Sequence, residues 1–180
     1  HPTPIFSDIE FDTSGAMILG FVDRTGLQLG SFNNDPTGSF IVIYNGAGGE
    51  VLRACPSGSG GWTLENNGSC GGATGSAGNS QGPGGGEFYS GDNIATGHNE
   101  ISDGGLAQLP GATDVTLTAM DPINYSSGGV IWLNNTNGNR SQSYELYASD
   151  ITPSSFSKAV GMGDIEVLCD SAPLEIGNRV

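Results

Sequence analysis

The 180-residue chain carries 19 Asp and Glu against 5 Lys and Arg, a formal net charge of −14. That balance excludes nucleic acid as a partner, because phosphate binding is driven by cations that release counterions, and it disfavours anionic membrane surfaces. No apolar run approaches the roughly 20 residues of a membrane-spanning helix, so membrane insertion is not expected, and the length suits one domain.

Residues 1–6 hold two prolines and read as an extended lead-in. In the next stretch Ile9 and Phe11 alternate with Asp8, Glu10 and Asp12, which puts the apolar pair on one face of a half-buried strand and three carboxylates on the other. Thr13-Ser14-Gly15 turns the chain, residues 16–22 form a nearly continuous apolar second strand, and residues 23–26 turn it again. Residues 26–38 are a polar connection with a turn at Asn33-Asn34-Asp35-Pro36. The β-branched and aromatic run at 39–44 predicts a buried strand, and residues 50–55 pair back on it. Four strands in so short a span match the strand count of a propeller blade.

Residues 71–86 are so rich in glycine that they have few side chains to bury and much backbone entropy to lose, which predicts a long loop. A short strand is expected at 87–89, a polar connection at 92–103, and strands at 105–110 and 114–121. Strands at 130–133 and 143–148 flank Asn-Asn-Thr-Asn-Gly-Asn-Arg, whose Asn-Gly pair marks a hairpin. Residues 151–160 carry the weak helical signal of the chain. Residues 163–169, Gly-Asp-Ile-Glu-Val-Leu-Cys, echo the first strand. The expected fold is all-β, in antiparallel β-propeller-like blades or a β-sandwich with a long Gly-rich loop. One domain spans 1–171, and residues 172–180 run on as an extended segment.

Cys55 and Cys70 flank an expected hairpin, and a disulfide closing a loop of that size would stabilise the fold by about 3 kcal/mol through the unfolded state. An oxidising, extracellular compartment follows if the bond forms. Cys169 is then the odd cysteine, and spacing alone leaves it open as a partner for either of the others. A zinc site is not expected, because no CxxC occurs and only 2 histidines are present.

Several segments taken together carry a family likeness: SDIEFD with MILGFVDR, VLRAC with GGWTLENNGSCGG, QGPGGGEFY, GGLAQLPG, SGGVIWLNN and GDIEVLCDSAPLEIGNRV. The set resembles a region of very large bacterial cell-surface proteins, the end of a propeller-like domain that precedes serine-aspartate-repeat B-like, Cna-B-type immunoglobulin-like modules. Ala172 to Val180 resembles the first strand of such a module, without the tryptophan and calcium loop that normally follow. The resemblance implies a non-enzymatic structural or adhesive module of an extracellular surface protein. With strands for only about two blades, short of the four or more that close a propeller, its edges would be covered by further sequence, by the Gly-rich loop or by copies of itself, the last giving a filament or ring joined by strand addition.

Three chemistries remain alternatives to a purely structural role. Carboxylates about 7 Å apart along a strand repel unless solvated or bridged, so Asp8, Glu10 and Asp12 are candidate calcium ligands. The Asn/Asp loops at 33–35 and 134–139 offer oxygen ligands too. His1, with its amino group, and His98 could form the three-nitrogen copper clamp of a polysaccharide monooxygenase, or His1 is a processing remnant and His98 a loop residue. Trp62 and Trp132 offer faces for glycans, as a carbohydrate-binding module would, although strand aromatics more often pack across the sheet. Gly78-Asn79-Ser80-Gln81-Gly82 matches G-x-S-x-G, but without the strand and helix that a nucleophile elbow requires.

Overall fold

The computed structural model describes residues 3–29, 33–34, 42–43, 48–75, 81–94, 97–148 and 162–168. The fold is all-β, built on two four-stranded antiparallel sheets.

The first sheet starts with β1 (Pro4–Phe11) and β2 (Met17–Asp23), paired from Pro4 opposite Asp23 to Phe11 opposite Met17 with a bulge between Phe6 and Asp8. The turn between them is fastened by Asp12, whose Oδ1 accepts from the backbone N–H of Ser14 at 2.8 Å and of Ala16 at 3.0 Å. Asp side chains favour turns because they satisfy nearby backbone donors in this way. The lead-in expected at 1–6 is strand from Pro4 onward, because Thr3 N–H donates to Asp23 Oδ1 at 2.9 Å and draws the chain into register. Period-two burial is clear in β2, where Ile18 and Val22 face inward while Met17, Leu19 and Phe21 are half-buried. β5 (Val51–Pro56) pairs along the far side of β2, and β6 (Trp62–Leu64) completes the order β1-β2-β5-β6.

Between β2 and β5 lie a helix α1 (Arg24–Leu29) and a small ladder of β3 (Asn33–Asn34) with β4 (Val42–Ile43). The helix corrects the expected turn and polar connection. Asp23 caps it, with Oδ1 accepting from Thr25 N–H at 3.1 Å and Oδ2 from Gly26 N–H at 3.2 Å, and so satisfies donors that a short helix otherwise leaves open. The strand expected at 39–44 lies mostly outside the described residues, as do the helical signal at 151–160 and the extended segment at 172–180.

The second sheet, in order β12-β11-β10-β9, comprises β9 (Ser102–Gln108), β10 (Asp114–Met120), β11 (Ser127–Asn134) and β12 (Arg140–Ala148). Its β11–β12 hairpin turns at the Asn-Gly segment as expected. The two sheets meet where β9 lies on β1 and β2. Ser7 Oγ sits 2.8 Å from the carbonyl of Gly104 and 3.0 Å from that of Gly20, and Leu106 N–H donates to Asp8 Oδ2 at 2.7 Å. Both sheets feed one core: Ile18 and Val51 from the first, Leu106, Val115, Leu117, Ala119, Ile131 and Leu133 from the second. The sandwich alternative describes this packing better than blades do. No barrel closes among the described residues.

Phe88, Tyr89 and Ile101 complete that core from irregular segments. Residues 87–89 are therefore buried but not the strand their sequence predicts. The Gly-rich loop is also more structured than its composition implies. Its described residues include β8 (Ala73–Thr74), which pairs with β7 (Ser69–Cys70) just before the loop, and a 3₁₀ turn at Pro83–Gly85. Gly84 adopts φ 77°, and a Cβ there would lie 1.8 Å from Asn66 Oδ1, so glycine here permits close packing. Residues 162–168 are not a strand either. They run beside β9, where a Cβ on Gly105 would come within 2.6 Å of the Gly163 carbonyl, and the repeated acid-apolar pattern does not create a ladder.

Candidate metal centre

Three carboxylates meet at one edge of the shared core. Ligand oxygens of Glu50, Asp92 and Glu100 all lie within 4.8 Å of one another, the one such group of three His, Cys, Asp or Glu residues among the described residues. Glu50 comes from the connection before β5 and Asp92 and Glu100 from the one before β9, and the backbone explains why they converge.

Glu50 stands at the entry to β5, behind Gly48-Gly49. A Cβ on Gly49 would lie 1.8 Å from the Phe21 carbonyl, and one on Gly48 would lie 2.1 Å from the Glu100 carbonyl. Only residues without side chains let this segment pass between β2 and the segment leading into β9. The passage is locked by Gly49 N–H donating to Ser102 O at 2.7 Å and Phe21 N–H donating to Glu50 O at 2.9 Å. Asp92 sits in a turn gripped by Arg140, whose guanidinium donates to the carbonyls of Gly91 (2.8 Å), Pro122 (3.0 Å) and Asn93. Ile101 N–H donates to Asp92 O at 2.9 Å, which brings Glu100 alongside.

Asp92 is fully buried, and Glu87, also fully buried, adds a fourth carboxyl to the local field. No N–H or hydroxyl donor from outside the cluster reaches the oxygens of Asp92 or of Glu100, and the two carboxyls can share a proton only with each other. Burial, reinforced by the charges of Asp92 and Glu87, pushes Glu50 up to about 10. Burial with Glu50 and Glu87 pushes Glu100 up to about 9, and burial with Glu100 and Glu87 holds Asp92 well above the carboxylate range. Charged carboxylates this close and this dry repel strongly. The arrangement can do one of two things chemically: hold protons, or hold a hard cation on oxygen ligands. Access exists, since Glu50 and Glu100 line a cavity of about 390 Å³ bounded also by Pro4, Phe21 and Leu52.

The residues singled out by sequence fall elsewhere. Asp8, Glu10 and Asp12 do not converge on a common point. Asp8 accepts from Leu106 N–H and Ile9 N–H, and Asp12 forms a buried ion pair with Arg53. Although burial opposes ionisation of Asp12, hydrogen bonds from Ser14 and Arg53 and the guanidinium charge hold it below its ordinary value. Glu10 is raised, mainly by burial and then by Asp8 and Glu166. In the 134–139 loop, Asn134 donates to Asp114 and accepts from Thr136 N–H, so its amide is used within the turn. Of the 33–35 loop, Asp35 lies outside the described residues.

His1 also lies outside them. His98 pairs through Nδ1 with Asp121 Oδ2 at 2.8 Å and stacks on Tyr125 at 4.9 Å between ring centroids. Residues 78–80 of the G-x-S-x-G match and Cys169 are likewise outside the described residues. Trp62 donates from Nε1 to Gly15 O at 2.8 Å and meets Phe11 edge-on at 6.0 Å, so it packs across the strands while staying 48% exposed. Trp132 is half-buried in β11, level with Thr116 on β10 and Gln142 on β12. Cys55 and Cys70 are bonded, with Cα atoms 5.6 Å apart.

Sequence reading missed Glu50, Asp92 and Glu100 because polar connections rarely announce function. The available signal was local: Glu50 and Glu100 each precede a fully buried β-branched residue, Val51 and Ile101.

These features define an all-β domain with a disulfide and a buried acidic cluster. Its similarities lie with three proteins of Dictyostelium discoideum. The chain is 34% identical to colossin-A over 194 residues, matching all of this chain and 2% of that protein. It is 31% identical to colossin-C over 182 residues, 95% of this chain and 17% of that protein. It is 30% identical to colossin-B over 189 residues, 99% of this chain and 5% of that protein. The chain thus spans a small fraction of the length of the curated relatives it matches. No protein-family profile and no solved structure matches it. These relatives correct the expected kinship with bacterial surface proteins of the Cna-B type: the similar proteins are colossins of Dictyostelium, and a bacterial origin does not fit.

Proposed function

We propose that the chain is a non-enzymatic structural module of an extracellular protein. The observation that carries this reading is the match along essentially the whole chain to three much longer colossins. One pattern set into polypeptides of very different length behaves as a building block. The Cys55–Cys70 bond supports an oxidising compartment, and the buried Asp12–Arg53 pair supports a tie within the fold rather than a solvent-facing reactive group.

Adhesive self-assembly is the finer reading. Among the described residues no strand pairs with the outer edge of β12, which runs from Arg140 to Ala148 and leaves Tyr144 58% and Leu146 60% exposed. An open edge of that length is a template for strand addition by a second copy.

Secreted expression with disulfide mapping, followed by sedimentation velocity and negative-stain microscopy, tests both parts. The reading expects an oxidised Cys55–Cys70 pair and concentration-dependent oligomers that Leu146→Lys disperses. A reduced pair in the secreted protein would refute the compartment, and monomers at all concentrations would refute assembly. Turnover of a polysaccharide by the copper-loaded chain would refute the non-enzymatic reading.

A further inference from the structure

We infer that Glu50, Asp92 and Glu100 form a calcium site that fastens the first sheet to the second. The inference goes beyond the structural reading above and does not depend on it.

Two independent observations support it. The first is convergence: carboxylate oxygens from two separate connections, Glu50 before β5 and Asp92 with Glu100 before β9, lie within 4.8 Å of one another, with an approach from the adjoining cavity through Glu50 and Glu100. The second is Asp92 itself. It is fully buried, it projects into the cluster, and no N–H, hydroxyl or cation from outside the cluster reaches its oxygens, which have only the Glu100 carboxyl to share a proton with. An orphaned buried carboxylate normally acquires a donor, because leaving it bare costs its full desolvation. Here the Arg140 guanidinium, which feels the Asp92 charge, is spent on backbone carbonyls, so it fixes the turn around Asp92 without saturating its carboxylate.

The donor set selects the ion. It offers oxygens only, with no imidazole or thiolate, which favours a hard cation over zinc or copper. Three carboxylates, each able to bind through one or two oxygens, suit the flexible six-to-eight coordination of calcium. Magnesium usually keeps most of its water and takes one or two carboxylates. A bound divalent ion would also offset the repulsion that Glu87 adds from beside the site. Because Glu50 opens β5 while Asp92 and Glu100 belong to the segment that enters β9, the ion would tie the two sheets together.

The test is isothermal titration of the metal-stripped 180-residue chain with calcium chloride and with magnesium chloride, alongside thermal unfolding with calcium or with chelator. One calcium per chain should bind below about 1 mM, the range of extracellular modules, and should raise the melting temperature. Asp92→Asn, nearly the same shape and freed of repulsion, should keep the far-ultraviolet circular dichroism of the parent and lose the calcium-dependent shift. Glu100→Gln should do the same. Asp8→Asn should keep full binding. The inference is overturned if calcium gives no heat and no shift, since the carboxyls then simply hold protons. Unchanged binding by Asp92→Asn, or magnesium binding as tightly as calcium, overturns it equally.

Discussion

At the scale of single residues, the buried charges divide into those that are paired and those that are not. Arg53 is paired several times over. Its guanidinium bonds Asp12 and donates to the Tyr89 hydroxyl at 2.9 Å, and its Cζ lies 4.9 Å above the Phe88 ring. Burial opposes its charge, but Tyr89 and Asp12 together raise it above its ordinary value. Removing one partner of such a pair leaves a bare buried charge, so Arg53→Ala should cost about 3–5 kcal/mol, read as a lower denaturation midpoint. Asp103 is the opposite case. Burial and the nearby Asp121 raise it to about 7, and neither of its oxygens has a partner. A raised carboxyl binds its proton more tightly in the folded state. Its contribution is therefore complete below the ordinary value of 3.8 and is lost as pH rises through about 7. Asp103→Asn should raise the melting temperature at pH 8, change it little at pH 4, and flatten the dependence between.

At the scale of elements, turn chemistry and glycine decide the outcome. The hairpins of β1 with β2 and β11 with β12 were legible because alternation and turn residues are local signals. The helix α1 was not, since six residues cannot sustain a helix alone and its cap, Asp23, also holds Thr3. The echo of Asp8 to Phe11 in Asp164 to Val167 misled because alternation needs a partner strand, and residues 162–168 have none among the described residues. The carboxylate cluster was illegible for a related reason: sequence separates Glu50 from Glu100, and only the backbone contacts of Gly48 and Gly49 bring them together. Gly49→Ala should therefore destabilise by about 1–3 kcal/mol or more, the range for overpacking, and should weaken calcium binding as well. The Cys55–Cys70 bond spans 15 residues. Replacing both cysteines by serine should cost about 3 kcal/mol, measured by chemical denaturation against the oxidised parent.

At the scale of the whole molecule, two sheets share one core and touch directly along β9, β1 and β2. The calcium site would add a second tie at the far edge of the same junction, between the entry to β5 and the loop before β9. Acidic composition then acquires a specific use, in which part of the surplus charge is directed inward at an ion rather than outward at water. A module set within long chains gains from such a tie, because an ion shared by the two sheets opposes their separation under load. Amide hydrogen exchange of the oxidised chain, with calcium and then with chelator, tests that joint most directly. The account predicts that calcium slows exchange together at Gly49 to Val51 and at Asp92 and Ile101, leaving β11 and β12 unchanged. Identical exchange at both segments in the two conditions would contradict it.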